Sequence, residues 1–132
     1  MRTYVDTSAF YALLDRDDAN HQRARRAWSA ILDEQNILLT SNYVLVETFA
    51  LLQNRLGLAA VRAFQEDILP LVNIEFVTRE THRSGIAALL SASRRGLSLV
   101  DCISFEIMRT LGIRDAFTFD PHFKEQSFRT TP

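Results

Sequence analysis

The segment Thr3-Tyr4-Val5-Asp6-Thr7-Ser8 is a short apolar run that ends abruptly at an acid. We predict a buried strand up to Val5 and a short helix directly after it, with Thr7 or Ser8 as its N-terminal cap. The same pattern returns at Ala116-Phe117-Thr118-Phe119, a predicted strand that stops at Asp120. Two strands that each end at an acid predict a fold whose polar functional residues lie at the ends of the strands.

Between these two segments the apolar residues switch repeatedly between strand-like and helical spacing. The predicted strands span residues 3–5, 37–39, 72–77 and 116–119. The predicted helices span residues 8–14, 20–34, 43–56, 58–69, 80–95 and about 100–111, with stops at Gly57, Pro70, Gly96 and Gly112. No linker or repeat interrupts the pattern, so residues 1–132 are predicted to form one domain. This alternation predicts an α/β fold, a three-layer α/β/α sandwich around a central, mainly parallel sheet of four or five short strands.

Four acids, Asp6, Glu47, Asp101 and Asp120, interrupt or close apolar runs, and few Lys or Arg residues are near them in sequence. An ionised carboxylate in apolar surroundings is costly unless it is paired or binds a metal. If the fold gathers these acids, a divalent cation is the simplest way to stabilise them.

The predicted topology brings these acids together. In parallel sheets, ligands bind beyond the carboxyl ends of the strands. Asp6 and Asp120 follow strands, and Asp101 lies near the start of a helix, where the helix dipole favours negative charge. Glu47 is predicted to share a helical stripe with Tyr43, Ala50 and Leu51, and we expect that stripe to face the sheet.

Carboxylate oxygens without nearby cysteines favour a hard cation, Mg²⁺ or Mn²⁺. Such a site can bind a phosphodiester and lower the pKa of a bound water. The hydroxyls of Thr7, Ser8 and Thr118 lie within two residues of Asp6 or Asp120. They could position a water or a metal-bound water, or they could cap backbone groups.

Charge and composition narrow the function classes. The formal net charge of −1 argues against a generic polyanion binder, yet 14 of the 15 basic residues are Arg, which pairs well with phosphate. A genome whose codon usage favours Arg over Lys would explain this excess of Arg equally well. The single cysteine, Cys102, excludes an internal disulfide and a cysteine-based zinc site. With no apolar run of membrane-spanning length and no evident signal peptide, a cytoplasmic protein is predicted.

Taken in order along the chain, these motifs resemble those of PIN-domain nucleases. They comprise Asp6-Thr7-Ser8 after the opening strand, a helical Glu47, Leu99-Val100-Asp101-Cys102, and Thr118-Phe119-Asp120-Pro121-His122-Phe123. Their spacing and the short chain resemble the toxin half of VapBC-type toxin–antitoxin pairs. The resemblance implies an α/β/α fold, Mg²⁺ or Mn²⁺ dependence and endonucleolytic cleavage of RNA. It also implies a homodimer and a small antitoxin protein that blocks the site.

Our working hypothesis gives each acid a role. Asp6 and Asp101 ligate the principal metal, Glu47 completes its shell directly or through water, and Asp120 holds a bound water or a second ion. The resemblance implies hydrolysis that leaves a 5′-phosphate and a 3′-hydroxyl.

Several alternatives remain open from the sequence. Each acid taken alone could be a helix cap, a turn residue or an ion-pair partner. A catalytically inactive PIN-like module that only binds RNA or protein is the main alternative function. The three histidines show no metal-binding spacing and are predicted to be surface or packing residues: His21, His82 and His122.

Overall fold

The computed structural model describes residues 1–132, and its centre is one sheet of five strands. The strands are β1 (Arg2–Val5), β2 (Ile37–Ser41), β3 (Asn73–Glu75), β4 (Asp115–Phe117) and β5 (Arg129–Thr131). They lie in the order β3-β2-β1-β4-β5, and every neighbouring pair is parallel. The predicted α/β fold is therefore confirmed, and the sheet is parallel throughout.

Seven α-helices connect and flank the strands. They are α1 (Thr7–Leu14), α2 (His21–Asp33), α3 (Asn42–Arg55), α4 (Leu58–Ala63), α5 (Arg79–Ala92), α6 (Leu99–Leu111) and α7 (Pro121–Glu125). A π-helical turn (Phe64–Ile68) and a 3₁₀ turn (Leu69–Leu71) follow α4. None of these helices has both the length and the apolar content that crossing a membrane would require.

The central strand β1 is covered on both faces. Its residues Tyr4 and Val5 point to opposite faces of the sheet and are both fully buried. Such double burial requires helices on each side of the sheet, as in other parallel α/β folds. The apolar run at the start of the chain is thus the middle of the core.

The strand order creates a topological switch point beside β1. The chain moves outward from β1 to β2 and β3, then returns to the other side of β1 as β4. Ligands of parallel α/β sheets bind in the crevice at such a point, beyond the carboxyl ends of the strands. Asp6 directly follows β1, and Asp120 comes three residues after β4 ends at Phe117.

The end of β4 corrects one predicted boundary, since that strand was expected to reach Phe119. The Thr118 hydroxyl accepts a hydrogen bond from the Asp120 backbone N–H at 2.9 Å. This local turn bends the chain out of the sheet before Asp120.

Other boundaries also differ from the prediction. The predicted helix 58–69 is α-helical only to Ala63, and Pro70 lies within the 3₁₀ turn that follows. Helix α5 ends at Ala92 rather than Arg95, because Ser93 adopts a left-handed conformation with φ of 49°. Helix α7 and strand β5 were not predicted, since their five and three residues are too short to show a period.

Candidate metal centre

Asp6 is the most firmly held of the four acids. It is the N-cap of α1, and only 4% of its surface is exposed. Its Oδ2 accepts hydrogen bonds from the Ser8 backbone N–H at 3.3 Å, the Ser8 hydroxyl at 2.8 Å and the Thr118 hydroxyl at 3.1 Å. Because these donors come from both β1–α1 and the segment after β4, they fix the carboxylate at the switch point.

Burial raises the pKa of Asp6 from 3.8 to about 6. The Ser8 hydroxyl opposes the rise, because its hydrogen bond favours the ionised form, and the negative charges of Asp101 and Asp120 add to it. The ionised carboxylate is therefore held at neutral pH in a place that disfavours it. A nearby cation would remove this penalty.

Asp101 lies in the first turn of α6, where it forms a reciprocal capping box with Ser98. The Ser98 backbone N–H donates to Asp101 Oδ2 at 3.1 Å, and the Asp101 N–H donates to Ser98 Oγ at 3.1 Å. Burial raises the pKa of Asp101, and the charge of Asp120 adds to that rise. The capping role therefore fixes Asp101 in position without removing its repulsion from Asp120.

Asp120 and His122 form the third part of the site. Asp120 is the N-cap of α7, with Pro121 in the first turn, and its Oδ1 accepts from the His122 backbone N–H at 2.9 Å. His122 Nδ1 lies 2.8 Å from the same oxygen but makes no well-aligned hydrogen bond. Potential ligand atoms of Asp101, Asp120 and His122 all lie within 4.8 Å of one another.

His122 was predicted to be a surface or packing residue, and the structure places it in this cluster instead. A search for paired histidines cannot find it, because its neighbours are carboxylates, those of Asp120 and of Asp101, which lies in a distant segment. The sequence feature that could have indicated this role is its position two residues after Asp120, with Pro121 between them at the start of a helix.

Glu47 corrects a prediction. The expected stripe of Glu47 and Ala50 does not face the sheet, because both residues are exposed. The buried face of α3 carries Val44, Leu45, Thr48 and Leu52. Thr48 can take an inward position because its hydroxyl donates to the Val44 carbonyl at 2.7 Å and to Thr7 Oγ1 at 3.1 Å.

The position of Glu47 still borders the site. With Tyr43, Val46 and Val100 it lines an almost entirely apolar cavity of about 320 Å³. Val100 precedes Asp101 in the chain, so this cavity lies on the α6 side of the carboxylates. The structure brings together Asp6, Asp101 and Asp120, and it leaves Glu47 at the rim.

The three hydroxyl groups that were proposed to position water make different contacts. Those of Ser8 and Thr118 both donate to Asp6, and they lie 3.2 Å from each other. The Thr7 hydroxyl points to α3, where it donates to the Val44 carbonyl at 3.4 Å. Ser8 and Thr118 therefore orient a carboxylate, whereas Thr7 joins two helices.

A buried link under the site was not predicted. The Tyr4 hydroxyl lies 2.8 Å from Ser104 Oγ, and both residues are fully buried. Tyr4 is two residues before Asp6, and Ser104 is three residues after Asp101, on the same side of α6. The pair therefore connects β1 to α6 behind the two acids.

The donor set has the chemistry that a hard divalent cation requires. Asp101, Asp120 and His122 offer two carboxylates and one imidazole, with no thiolate among them. Asp6 adds a third carboxylate close enough for the charges of Asp101 and Asp120 to raise its pKa. The raised pKa values of Asp6 and Asp101 show that the protein alone does not neutralise these groups.

Comparisons with known proteins identify the family to which this fold belongs. A profile of the PIN domain matches residues 3–129. The 23S rRNA-specific endonuclease VapC20, from two strains of Mycobacterium tuberculosis, is 37% identical over 126 residues, which cover 95% of this chain and 94% of the relative. The crystal structure of Mycobacterium tuberculosis VapC20, described as a Sarcin-Ricin loop cleaving toxin, superimposes with a TM-score of 0.85 and 36% identity. It covers 96% of this chain and 95% of that one. The chain therefore belongs to the PIN-domain family and is of the VapC type.

Proposed function

We propose that this protein is an endoribonuclease that depends on Mg²⁺ or Mn²⁺ and acts as the toxin of a toxin–antitoxin pair. The observation that carries the proposal is the convergence of Asp6, Asp101 and Asp120, with His122, at the switch point of a PIN fold. RNA is the substrate class, and 23S rRNA, which the name of the relative gives as its substrate, is the first RNA to test.

The acids and hydroxyl groups of the site are assigned different roles. Asp6 and Asp101 would hold the principal cation, and Asp120 with His122 would hold a water or a second ion beside it. Glu47, on α3 at the rim, would complete the shell directly or through water. A bound cation supplies charge neutralisation of the phosphodiester and a more acidic water. Ser8 and Thr118 keep Asp6 oriented, because both hydroxyls donate to its Oδ2.

Cleavage of RNA by purified protein tests this proposal. We expect native protein to cut a total-RNA pool and isolated 23S rRNA when Mg²⁺ or Mn²⁺ is present, and chelation by EDTA to stop the reaction. Asp6→Asn should be inactive with either metal. Asp67→Asn, which removes an exposed acid outside the site, should cut at the native rate. Full activity of Asp6→Asn would rule out the assigned roles.

The second candidate is a PIN-like module that binds RNA or protein without cutting. The presence of an acid at all four positions favours catalysis. Thermal unfolding with and without millimolar Mn²⁺ separates the two, because a ligand that binds only the native state raises the melting temperature. A melting temperature that Mn²⁺ leaves unchanged would favour the inactive module.

The proposed partners follow from the same family membership. We propose a homodimer and a small cognate antitoxin, working in the cytoplasm, with residues 1–132 as one nuclease domain. Val46 and Leu58, on α3 and α4, are 70% and 68% exposed and are candidates for a covered surface. Light scattering after size-exclusion chromatography should give twice the chain mass. Co-expression with the adjacent reading frame should yield a complex, and failure to co-purify would count against the antitoxin.

A further inference from the structure

The two sides of the carboxylate cluster differ in charge. On the α6 side lies the apolar cavity of Tyr43, Val46, Glu47 and Val100, which contains no cation. On the α7 side lies a cleft of about 210 Å³, whose lining includes Arg23, Lys124, Thr118 and Asp120. Asp120 belongs to both the cluster and this cleft, so the cleft adjoins the candidate metal centre.

The two cations of this cleft have no acidic partner. The ion pairs of the structure involve Arg62, Arg94, His122 and Arg129, and neither Arg23 nor Lys124 is among them. Lys124 is also the only lysine of the chain. Two unpaired positive groups beside a cluster of carboxylates leave their charge available to an anion from outside.

Arg23 is held in place by an aromatic ring rather than by an acid. Its guanidinium lies over the ring of Phe119, 5.5 Å from the centroid, and one of its nitrogens donates to Asn20 Oδ1 at 3.4 Å. Phe119 is itself fixed, because its backbone N–H donates to Ser8 Oγ at 2.9 Å. The ring orients the guanidinium, while its remaining N–H groups stay free for the bidentate contacts that phosphate oxygens accept.

The cleft has the size and lining for one hydrated phosphate. Its volume equals that of roughly seven water molecules at ~30 Å³ each. Thr118 and Thr130 add hydroxyl groups to its lining. The Thr118 hydroxyl is already committed to Asp6 and the Asp120 backbone, so the two cations are the main anchors.

From these observations we propose that Arg23 and Lys124 bind a backbone phosphodiester of RNA next to the one that is cut. This site deepens the proposed ribonuclease function and rests on it. An RNA strand that crosses the carboxylates must carry a further phosphate on each side, and of the two cavities beside the carboxylates only the cleft on the α7 side is lined by cations. The strand therefore crosses the centre with a phosphate on the α7 side.

The test measures how RNA binding depends on salt. The probe is a fluorescein-labelled single-stranded RNA of eight nucleotides, prepared with either a 5′-hydroxyl or a 5′-phosphate. All variants carry Asp6→Asn so that the probe stays intact, and the dissociation constant is measured from 50 to 300 mM KCl. One lost phosphate contact should reduce the slope of log K against log salt by about 0.7.

We expect Arg23→Ala/Lys124→Ala to weaken binding on the order of tenfold at 100 mM KCl, for both probes and for unrelated sequences. The slope should fall by about 0.7. Arg23→Lys/Lys124→Arg, which keeps both charges, should retain most of the slope. Arg62→Ala removes an exposed cation of α4 that lines neither side of the cluster, and it should bind as the parent does. Equal melting temperatures of parent and variants confirm that each is folded.

Three results would overturn the proposal. In the first, the double alanine variant has the same affinity and slope as the parent, which would mean that the cleft binds an acidic protein segment or no ligand. Another is an equal loss in Arg62→Ala. The third is a loss confined to the 5′-phosphorylated probe, which would assign the cleft to a terminal phosphate. Native cleavage is measured separately, so a failure of the ribonuclease proposal is distinguishable from a failure of this site.

Discussion

The strand end at Asp6 and the helix face at Glu47 border the same site, but the chain holds their carboxylates in different ways. Asp6 is buried, and three donors from Ser8 and Thr118 bind one of its oxygens. Glu47 is exposed and takes part in no ion pair. One side of the centre is therefore oriented before any cation binds, whereas the other side is free to move toward it.

The largest expected effect is that of Asp6→Asn on activity. Loss of a central ligand should reduce RNA cleavage about a thousandfold, because a bound cation contributes several kcal/mol to the transition state. The same variant should raise the unfolding free energy of the metal-free protein at pH 7 by about 1–3 kcal/mol, since a buried, repelled charge is removed. Urea unfolding in EDTA measures this gain, and a loss of stability would contradict the description of Asp6 as an unfavourably placed charge.

The pH dependence of stability is the next largest effect. The pKa of Asp6 is about 6 in the folded protein and 3.8 in the unfolded chain, so the folded state binds more protons between these values. The corresponding stabilisation is fully present below about pH 4 and is lost as pH rises through about 6. The rise from 3.8 to about 6 amounts to roughly 3 kcal/mol.

The measurement is the unfolding free energy of metal-free native protein minus that of Asp6→Asn, from pH 4 to 8. The difference should fall through this window and then level off. Saturating Mn²⁺ should abolish the fall, because a bound cation keeps the carboxylate ionised. A difference that stays constant with pH would show that Asp6 titrates as it does in the unfolded chain.

Glu47→Gln should have a smaller and different effect. We expect cleavage to fall about 10- to 100-fold at limiting Mn²⁺, the range found when a residue supports a metal shell. Because Glu47 is exposed, the stability of the metal-free protein should change by no more than about 0.5 kcal/mol. Higher Mn²⁺ should recover part of the activity, in contrast to Asp6→Asn. If Glu47→Gln changed the stability as much as Asp6→Asn does, Glu47 would not differ from Asp6 in how the protein holds its carboxylate.

The smallest effect concerns the buried link behind Asp6. Tyr4→Phe leaves the Ser104 hydroxyl without its partner and should cost about 1–2 kcal/mol of stability. The double variant Tyr4→Phe/Ser104→Ala should recover part of that loss, because no polar group is left unsatisfied. If the link sets the separation of Asp6 and Asp101, calorimetry should also show weaker Mn²⁺ binding in both variants. Native Mn²⁺ affinity in both would limit the link to a role in stability.

The strand-end acids were predictable from sequence for a physical reason. An unpaired charge is costly inside a buried strand, so an apolar run stops before it, and the carboxyl ends of parallel strands meet at one edge. Knowing that Asp6 and Asp120 close apolar runs therefore locates them without coordinates. Their capping roles are compatible with a shared site. The carboxylates of Asp6, Asp101 and Asp120 each accept a hydrogen bond from a backbone N–H group and still converge.

The rotation of α3 was not predictable in the same way. Apolar residues surround this helix, from Tyr43 to Leu52, so periodicity does not identify its buried face. The decisive residue is Thr48, whose inward hydroxyl is satisfied by Val44 and by Thr7 on a different helix. His122 was missed for a related reason, because its companions come together only in the folded chain.

The anomalous scattering of Mn²⁺ in a crystal of the native protein would show whether Asp6 and Asp101 bind the same cation. We expect a peak bound by carboxylate oxygens of both Asp6 and Asp101 at ~2.0–2.2 Å, with Asp120 or His122 next to it. Crystals of Asp6→Asn soaked in the same way should lose that peak. A well-occupied Mn²⁺ site elsewhere on the protein, with these carboxylates bound only to protein groups, would contradict the account.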